Sequence, residues 1–99
     1  MERQEVSKAV IEVVKDKVFL ELANKIEEET RFKEDLGCDS LDLVDVIIEL
    51  ERKYDIPITD EELHLLNSEE TKISDIVDIT FNKIRERDAR GENMLRHGM

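Results

Sequence analysis

Valines at 6, 10, 13 and 14, separated by Glu, Lys and other polar residues, recur at helical spacing and predict an amphipathic first helix over residues 3–17. A second apolar set follows at once: Val18, Phe19, Leu22, Ala23 and Ile26. It suits either a continuation of that helix or a packed loop, and periodicity does not choose between them. Residues 27–39 are dominated by charge, with Phe32 and Leu36 as the large apolar exceptions. That pattern predicts a long ordered loop pinned to the core by those two side chains.

The densest apolar segment runs from Leu41 to Leu50 and predicts a second helix over about 40–54. It carries two stripes. Leu43, Ile47, Leu50 and Tyr54 step by four, three and four and form a core face. Leu41, Val44 and Ile48 lie about a third of a turn or more away, beside Asp45 and near Glu51 and Arg52. An apolar stripe rimmed by acid has the composition of a protein-binding surface. The alternative is that it packs under the loop or the next helix.

Pro57 ends the helix, since Ile56 before it is biased away from the helical region. Thr59-Asp60-Glu61-Glu62 is a capping sequence, so 60–66 is expected to form a short helix contributing Leu63 and Leu66. Asn67 to Glu70 breaks it. Ser74-Asp75 starts a last helix with Ile73, Ile76, Val77, Thr80, Phe81 and Ile84 on its inner side. From about Glu86 the chain is charged, contains Gly91 and Gly98 and has no apolar period, so residues 86–99 are expected to be a disordered tail. The expected fold is all-α: a small four-helix bundle of three longer helices and one short one, occupying residues 1–85 as one domain.

At 99 residues the chain can bury roughly 60–65% of its unfolded surface, enough for one modest core but not a deep enclosed active site. Aromatic residues are few and Trp is absent, so that core must be aliphatic. No apolar run approaches the ~20 residues of a membrane span, and the first residues do not read as a signal peptide. One cysteine allows no internal disulfide, which agrees with a reducing, cytoplasmic setting.

The net charge of −11 is concentrated: between Glu27 and Glu62 stand fourteen acidic residues and four basic ones, and from Lys83 onward the balance reverses. Such an acidic block repels nucleic-acid phosphates and suits a basic protein partner. Its bland alternative is solubility alone.

The turn Asp35-Leu36-Gly37-Cys38-Asp39-Ser40-Leu41-Asp42 concentrates the candidate chemistry. Gly37 can take the positive φ that tight turns often require. Asp39 or Ser40 can cap the following helix, and Asp42 adds negative charge to its first turn. Ser40 is thereby held at an exposed helix start among carboxylates. It lacks a G-x-S-x-G frame, His64 and His97 are the sole histidines, and nearby carboxylates oppose an oxyanion, so serine hydrolysis is disfavoured. One Cys and two scattered His do not make a zinc set. The acids at 35, 39 and 42 lack the calcium-loop pattern, position twelve from Asp35 being Val46. Paired carboxylates for glycoside cleavage would need a cleft this chain is too small to build. Cys38 has no basic neighbour to lower its pKa and reads as a packed residue; His64 reads as a surface one. What remains for an exposed serine without a base is to be a substrate, accepting a phosphoryl-linked group whose charge a helix N-terminus tolerates.

Phe32-Lys33-Glu34-Asp35-Leu36-Gly37-Cys38-Asp39-Ser40-Leu41-Asp42 resembles the prosthetic-group attachment motif of acyl carrier proteins, with Asp-Ser-Leu after an Asp-Leu-Gly turn. The likeness continues through Leu50-Glu51, Tyr54 to Ile58 and Asp60 to Glu62, covering about residues 26–66 well and the flanks more loosely. The resemblance implies a non-enzymatic carrier with 4′-phosphopantetheine on Ser40, installed from coenzyme A by a phosphopantetheinyl transferase. Acyl chains would ride on its thiol as thioesters between enzymes of fatty acid or related lipid and polyketide synthesis. It further implies that Asp39 and Leu41 flank the attachment point. With Asp42, Val44, Asp45, Ile48 and Glu51 they would face the basic surfaces of acyl-processing enzymes. Phe32, Ile47, Ile58, Leu66 and Ile73 would be liners for the acyl chain. The implied molecule is a cytoplasmic monomer with no metal, no nucleic-acid partner and no membrane insertion. Departures are Arg52 where the family usually has an acid, Cys38 for a small residue, the unusual stretch 18–29, the apparent insertion at 67–70 and the tail. An acidic adaptor that keeps the fold but is never modified is the alternative.

Overall fold

The computed structural model describes residues 1–97, with side chains for residues 1–90. Among the described residues five helices follow one another: α1 Arg3–Lys15, α2 Leu20–Ala23, α3 Ser40–Tyr54, α4 Asp60–Leu66 and α5 Ile73–His97. Among the described residues the one β-type pairing is an isolated antiparallel bridge between Arg31 and Lys72. The expected all-α bundle of three longer helices and one short one is therefore present, with a single extra turn, α2, between α1 and the long loop.

Helix α1 packs on α5 and α3, and α4 packs on α5. The core they enclose is aliphatic, as the composition requires. It holds Val6, Val10 and Val14 of α1, Leu43, Val46, Ile47 and Leu50 of α3, and Ile73, Ile76, Val77 and Ile84 of α5, with Phe32 of the loop before α3. Val46 borders the inward stripe on the side away from the outer one and is fully buried. Phe81, placed on the inner side of α5 by its spacing, is only half-buried.

The apolar set after α1 does not prolong that helix. Positions 6, 10, 14, 18, 22 and 26 advance by four residues each time, and each such step turns about 40° around a helix of 3.6 residues per turn. Over five steps the stripe would rotate by about 200° and leave the face packed on α5. The chain breaks at Asp16, turns, and forms only α2. Ala23 and Ile26 then reach the core, while Phe19 and Leu20 stay 84% and 77% exposed.

Loop 27–39 is ordered, and its fastenings are main-chain bonds to the start of α5. Phe32 N–H donates to Thr71 O, Ile73 N–H to Thr30 O and Ser74 N–H to Glu28 O, each at 2.9 Å. Phe32 and Leu36 are buried, as their pattern demands. Arg3 clamps the same loop from α1, 2.9 Å from Glu28 and 2.8 Å from Asp78. The Ser7 hydroxyl donates to Glu28 at 2.8 Å.

The boundaries of α3 and α4 follow local chemistry. α3 ends where Asp55 enters the left-handed region at φ 53, one residue before Ile56-Pro57. Thr59 and Glu62 form a reciprocal capping box at the start of α4. The expectation of a disordered tail from residue 86 differs from the structure, in which α5 continues to His97. Apolar periodicity stops at Ile84, but helix continuation needs none: Lys, Arg and Glu are good helix formers and pair along the surface. Glu86 lies 4.0 Å from Lys83 and 3.7 Å from Arg90. Arg87 donates to the Tyr54 carbonyl at the end of α3. Residues 98–99 of the expected tail lie outside the described residues.

Candidate functional site

Gly37 adopts φ +69, and the turn it permits sends Cys38 inward to 5% exposure and brings Asp39 to the start of α3. Of the two possible caps, the structure uses Asp39. Its carboxylate accepts from Asp42 N–H at 2.9 Å, and the Asp42 carboxylate accepts from Asp39 N–H at 3.1 Å. Backbone N–H groups that donate to its charged form, that of Asp42 foremost, hold the Asp39 carboxyl below its usual range. Because Asp39 satisfies the helix end, the Ser40 side chain is not consumed as a cap and stays exposed.

The Ser40 hydroxyl donates to Asn67 Oδ1 at 2.9 Å, across from the end of α4. Lys33 Nζ donates to the same amide oxygen at 2.5 Å and lies 3.5 Å from Ser40 Oγ. The polar neighbours bonded to Ser40 are thus an amide and an ammonium, neither able to take its proton as a general base. His64 lines the adjoining groove without bonding the hydroxyl. Burial, with the charges of Asp42 and Asp39, pushes the Cys38 thiol up to about 11, so this cysteine is packed and not nucleophilic. No cluster of three or more metal-ligating side chains exists among the described residues.

Beside Ser40 lies a groove of about 300 Å³, bordered by Leu43 and Val44 of α3, by Asp60, Leu63 and His64 of α4, and by Asn67 just after it. Of the proposed chain liners, Phe32, Ile47, Leu66 and Ile73 are packed in the core and Ile58 is half-buried. The groove's apolar walls come instead from Leu43, Val44 and Leu63.

On the outer side of α3, Leu41 is 75% exposed and Ile48 38%, with Asp45 exposed between them. Val44 turns partly into the groove. Glu51 has a structural bond as well: its Oε2 accepts from Ile58 N–H at 3.0 Å, tying α3 to the following loop. Asp42 has the capping bond already described. Lys33 and Asn67 are the site residues that the sequence reading missed. Lys33 was visible as a cation in an acidic block, seven residues before the serine. Asn67 is twenty-seven residues after it, and no local pattern links them.

An acidic helical bundle thus presents an exposed serine, with no base bonded to it, beside a small groove with apolar walls. Comparison with known proteins identifies its family. Residues 8–79 match the family model described as "Phosphopantetheine attachment site". The chain is 38% identical over 71 residues to the acyl carrier protein of Chlorobium phaeovibrioides, covering 65% of this chain and 91% of the relative. It is 33% identical over 78 residues to that of Rubrobacter xylanophilus, covering 79% and 95%. With the mitochondrial acyl carrier protein of Saccharomyces cerevisiae it shares 42% over 64 residues, covering 62% and 51%. The chain belongs to the acyl carrier protein family, whose covalent cofactor, 4′-phosphopantetheine, bears acyl groups as thioesters. The local residues fit that group: the Ser40 hydroxyl is exposed and bonded to no base, and a groove with apolar walls lies alongside. No helix among the described residues is long and apolar enough to cross a membrane.

Proposed function

We propose that Ser40 is the residue that carries 4′-phosphopantetheine and that the outer stripe of α3 is the docking face for the enzymes served. The observation that carries this reading is the state of the Ser40 hydroxyl. It is exposed, spared from capping by the Asp39–Asp42 box, and bonded to groups that cannot deprotonate it. Such a hydroxyl waits for chemistry supplied from outside, by a transferase that brings coenzyme A. Leu41, Asp42, Val44, Asp45, Ile48 and Glu51 then supply an apolar strip edged with carboxylates. Basic enzymes of fatty acid or related lipid and polyketide synthesis suit that strip by charge. The protein itself does no catalysis; it is a cytoplasmic shuttle for thioester-bound acyl groups. Once bound, the group supplies a thiol on a flexible arm, while this chain supplies the anchor and the docking surface.

Intact mass after incubation with coenzyme A and a broad-specificity phosphopantetheinyl transferase tests the assignment. Wild type gains one phosphopantetheine and Ser40→Ala gains none. A well-folded wild type that gains nothing would leave an unmodified acidic adaptor as the better description.

A further inference from the structure

Lys33, Ser40 and Asn67 come from the loop before α3, the start of α3 and the end of α4, and they meet at one oxygen. Asn67 Oδ1 accepts from the Ser40 hydroxyl at 2.9 Å and from the Lys33 ammonium at 2.5 Å. The position of Lys33 is fixed by its neighbours: Phe32 is fully buried with its N–H on Thr71 O, and the Lys33 carbonyl accepts from Gly37 N–H at 2.9 Å. The other cation of this loop, Arg31, is paired with Glu34 at 2.7 Å and reaches Asp35 at 3.9 Å. Lys33, by contrast, is bonded to neutral oxygens, an amide and a hydroxyl. A half-buried cation with neutral partners, 3.5 Å from Ser40 Oγ, is placed where an anion will be attached.

We propose that Lys33 is the binding residue for the phosphodiester on Ser40, and that Asn67 holds it in readiness until loading exchanges their partners. This rests on the reading of Ser40 as the attachment residue. In loading, Ser40 Oγ bonds to the phosphorus of the pantetheine phosphate as the pyrophosphate P–O bond of coenzyme A breaks. Adenosine 3′,5′-bisphosphate leaves with the electron pair, and the Ser40 proton passes to a base of the transferase. The ester oxygen has no hydrogen, so it can no longer donate to Asn67. The new phosphodiester carries a negative charge beside Lys33, and a charge-assisted bond to phosphate is stronger than one to a neutral amide. Lys33 therefore moves from Asn67 to the phosphodiester. Asn67 loses both donors together, and the end of α4 is freed from α3 at the wall of the groove.

The test compares unmodified and loaded forms of wild type, Lys33→Gln, Asn67→Ala and, as a charge-matched control, Lys8→Gln on the exposed side of α1. Loading is verified first by intact mass. Lys33→Gln is expected to move the ³¹P resonance of the loaded protein, and Lys8→Gln to leave it in place. Asn67→Ala is expected to raise the unfolding constant of the unmodified protein about two- to tenfold, as loss of a hydrogen bond does, and to leave that of the loaded protein unchanged. A ³¹P resonance indifferent to Lys33→Gln, or an Asn67→Ala cost equal in both forms, overturns the exchange while leaving Ser40 as the attachment residue. A wild type that takes up no group overturns the Ser40 assignment at the first step, and the exchange with it.

Discussion

Glu62 and Lys83 join α4 to α5 through a single carboxylate oxygen, with Lys83 Nζ 2.8 Å from Glu62 Oε1 and the two side chains 13% and 27% exposed. Thr59 adds its N–H at 2.9 Å and its hydroxyl at 3.0 Å to the same oxygen, so the pair also closes the capping box of α4. Partial burial pushes the Glu62 carboxyl up, but Lys83 and the two Thr59 donors outweigh it and hold the carboxyl below its usual range. A carboxyl depressed in the folded state stabilises above its unfolded pKa of 4.5, and that contribution is lost as pH falls through the folded value. Glu62→Gln should therefore cost up to about 1 kcal/mol at pH 7. The cost should shrink as pH falls below the unfolded pKa. Urea midpoints measured between pH 7 and pH 3 check this; a cost independent of pH would deny the pair its role.

Ile47 is 3% exposed on the inward stripe of α3, among side chains that define the core. Ile47→Ala should lower stability by about 2–5 kcal/mol through lost burial and the cavity left behind. Chemical denaturation measures it. An unchanged midpoint would mean that α3 buries a different face.

The bounds of α3 and α4 and both anchors of the loop were legible because they depend on near neighbours. Pro57 limits Ile56, Thr59 pairs with Glu62, and Gly37 accepts the positive φ that the turn needs. Ser40 was legible for the same reason, as an exposed hydroxyl at a helix start, but that Asp39 and not Ser40 is the cap was not. What depends on distant contacts was not. Asn67 read as a helix breaker because its bond to Ser40 spans twenty-seven residues. Glu51 read as a free surface acid because nothing local announces its bond to Ile58 N–H. The length of α5 was hidden for a different reason: surface charge pairs sustain a helix without leaving an apolar period.

Thr80 is fully buried on the inner face of α5, and its hydroxyl has no hydrogen-bond partner among the described residues. A buried polar group left unpaired costs about 1–3 kcal/mol, and valine has nearly the same shape without that group. Thr80→Val should raise stability by about 1 kcal/mol and leave loading of Ser40 unchanged. Thermal unfolding beside the intact-mass assay checks both. A loss of stability would show that the hydroxyl has a partner after all, such as an ordered water.

The acidic stripe of α3 can be tested without disturbing the helix only if the substituted carboxylate has no structural bond. Asp42 fails that condition, because it accepts the Asp39 N–H in the capping box, and Glu51 fails it through Ile58. Asp45 is exposed between Leu41 and Ile48, with no bond to a neighbour among the described residues, so Asp45→Lys changes charge alone. It should leave the unfolding midpoint within about 0.5 kcal/mol of wild type. Binding to a basic acyl-processing enzyme or to the transferase should weaken, and the salt dependence of that binding should flatten, since one screened attraction is replaced by repulsion. Affinity measured from low to physiological salt gives both readings. If binding and its salt slope survive Asp45→Lys, the enzymes dock elsewhere, and the exposed strip of Leu41 and Ile48 is not their footing.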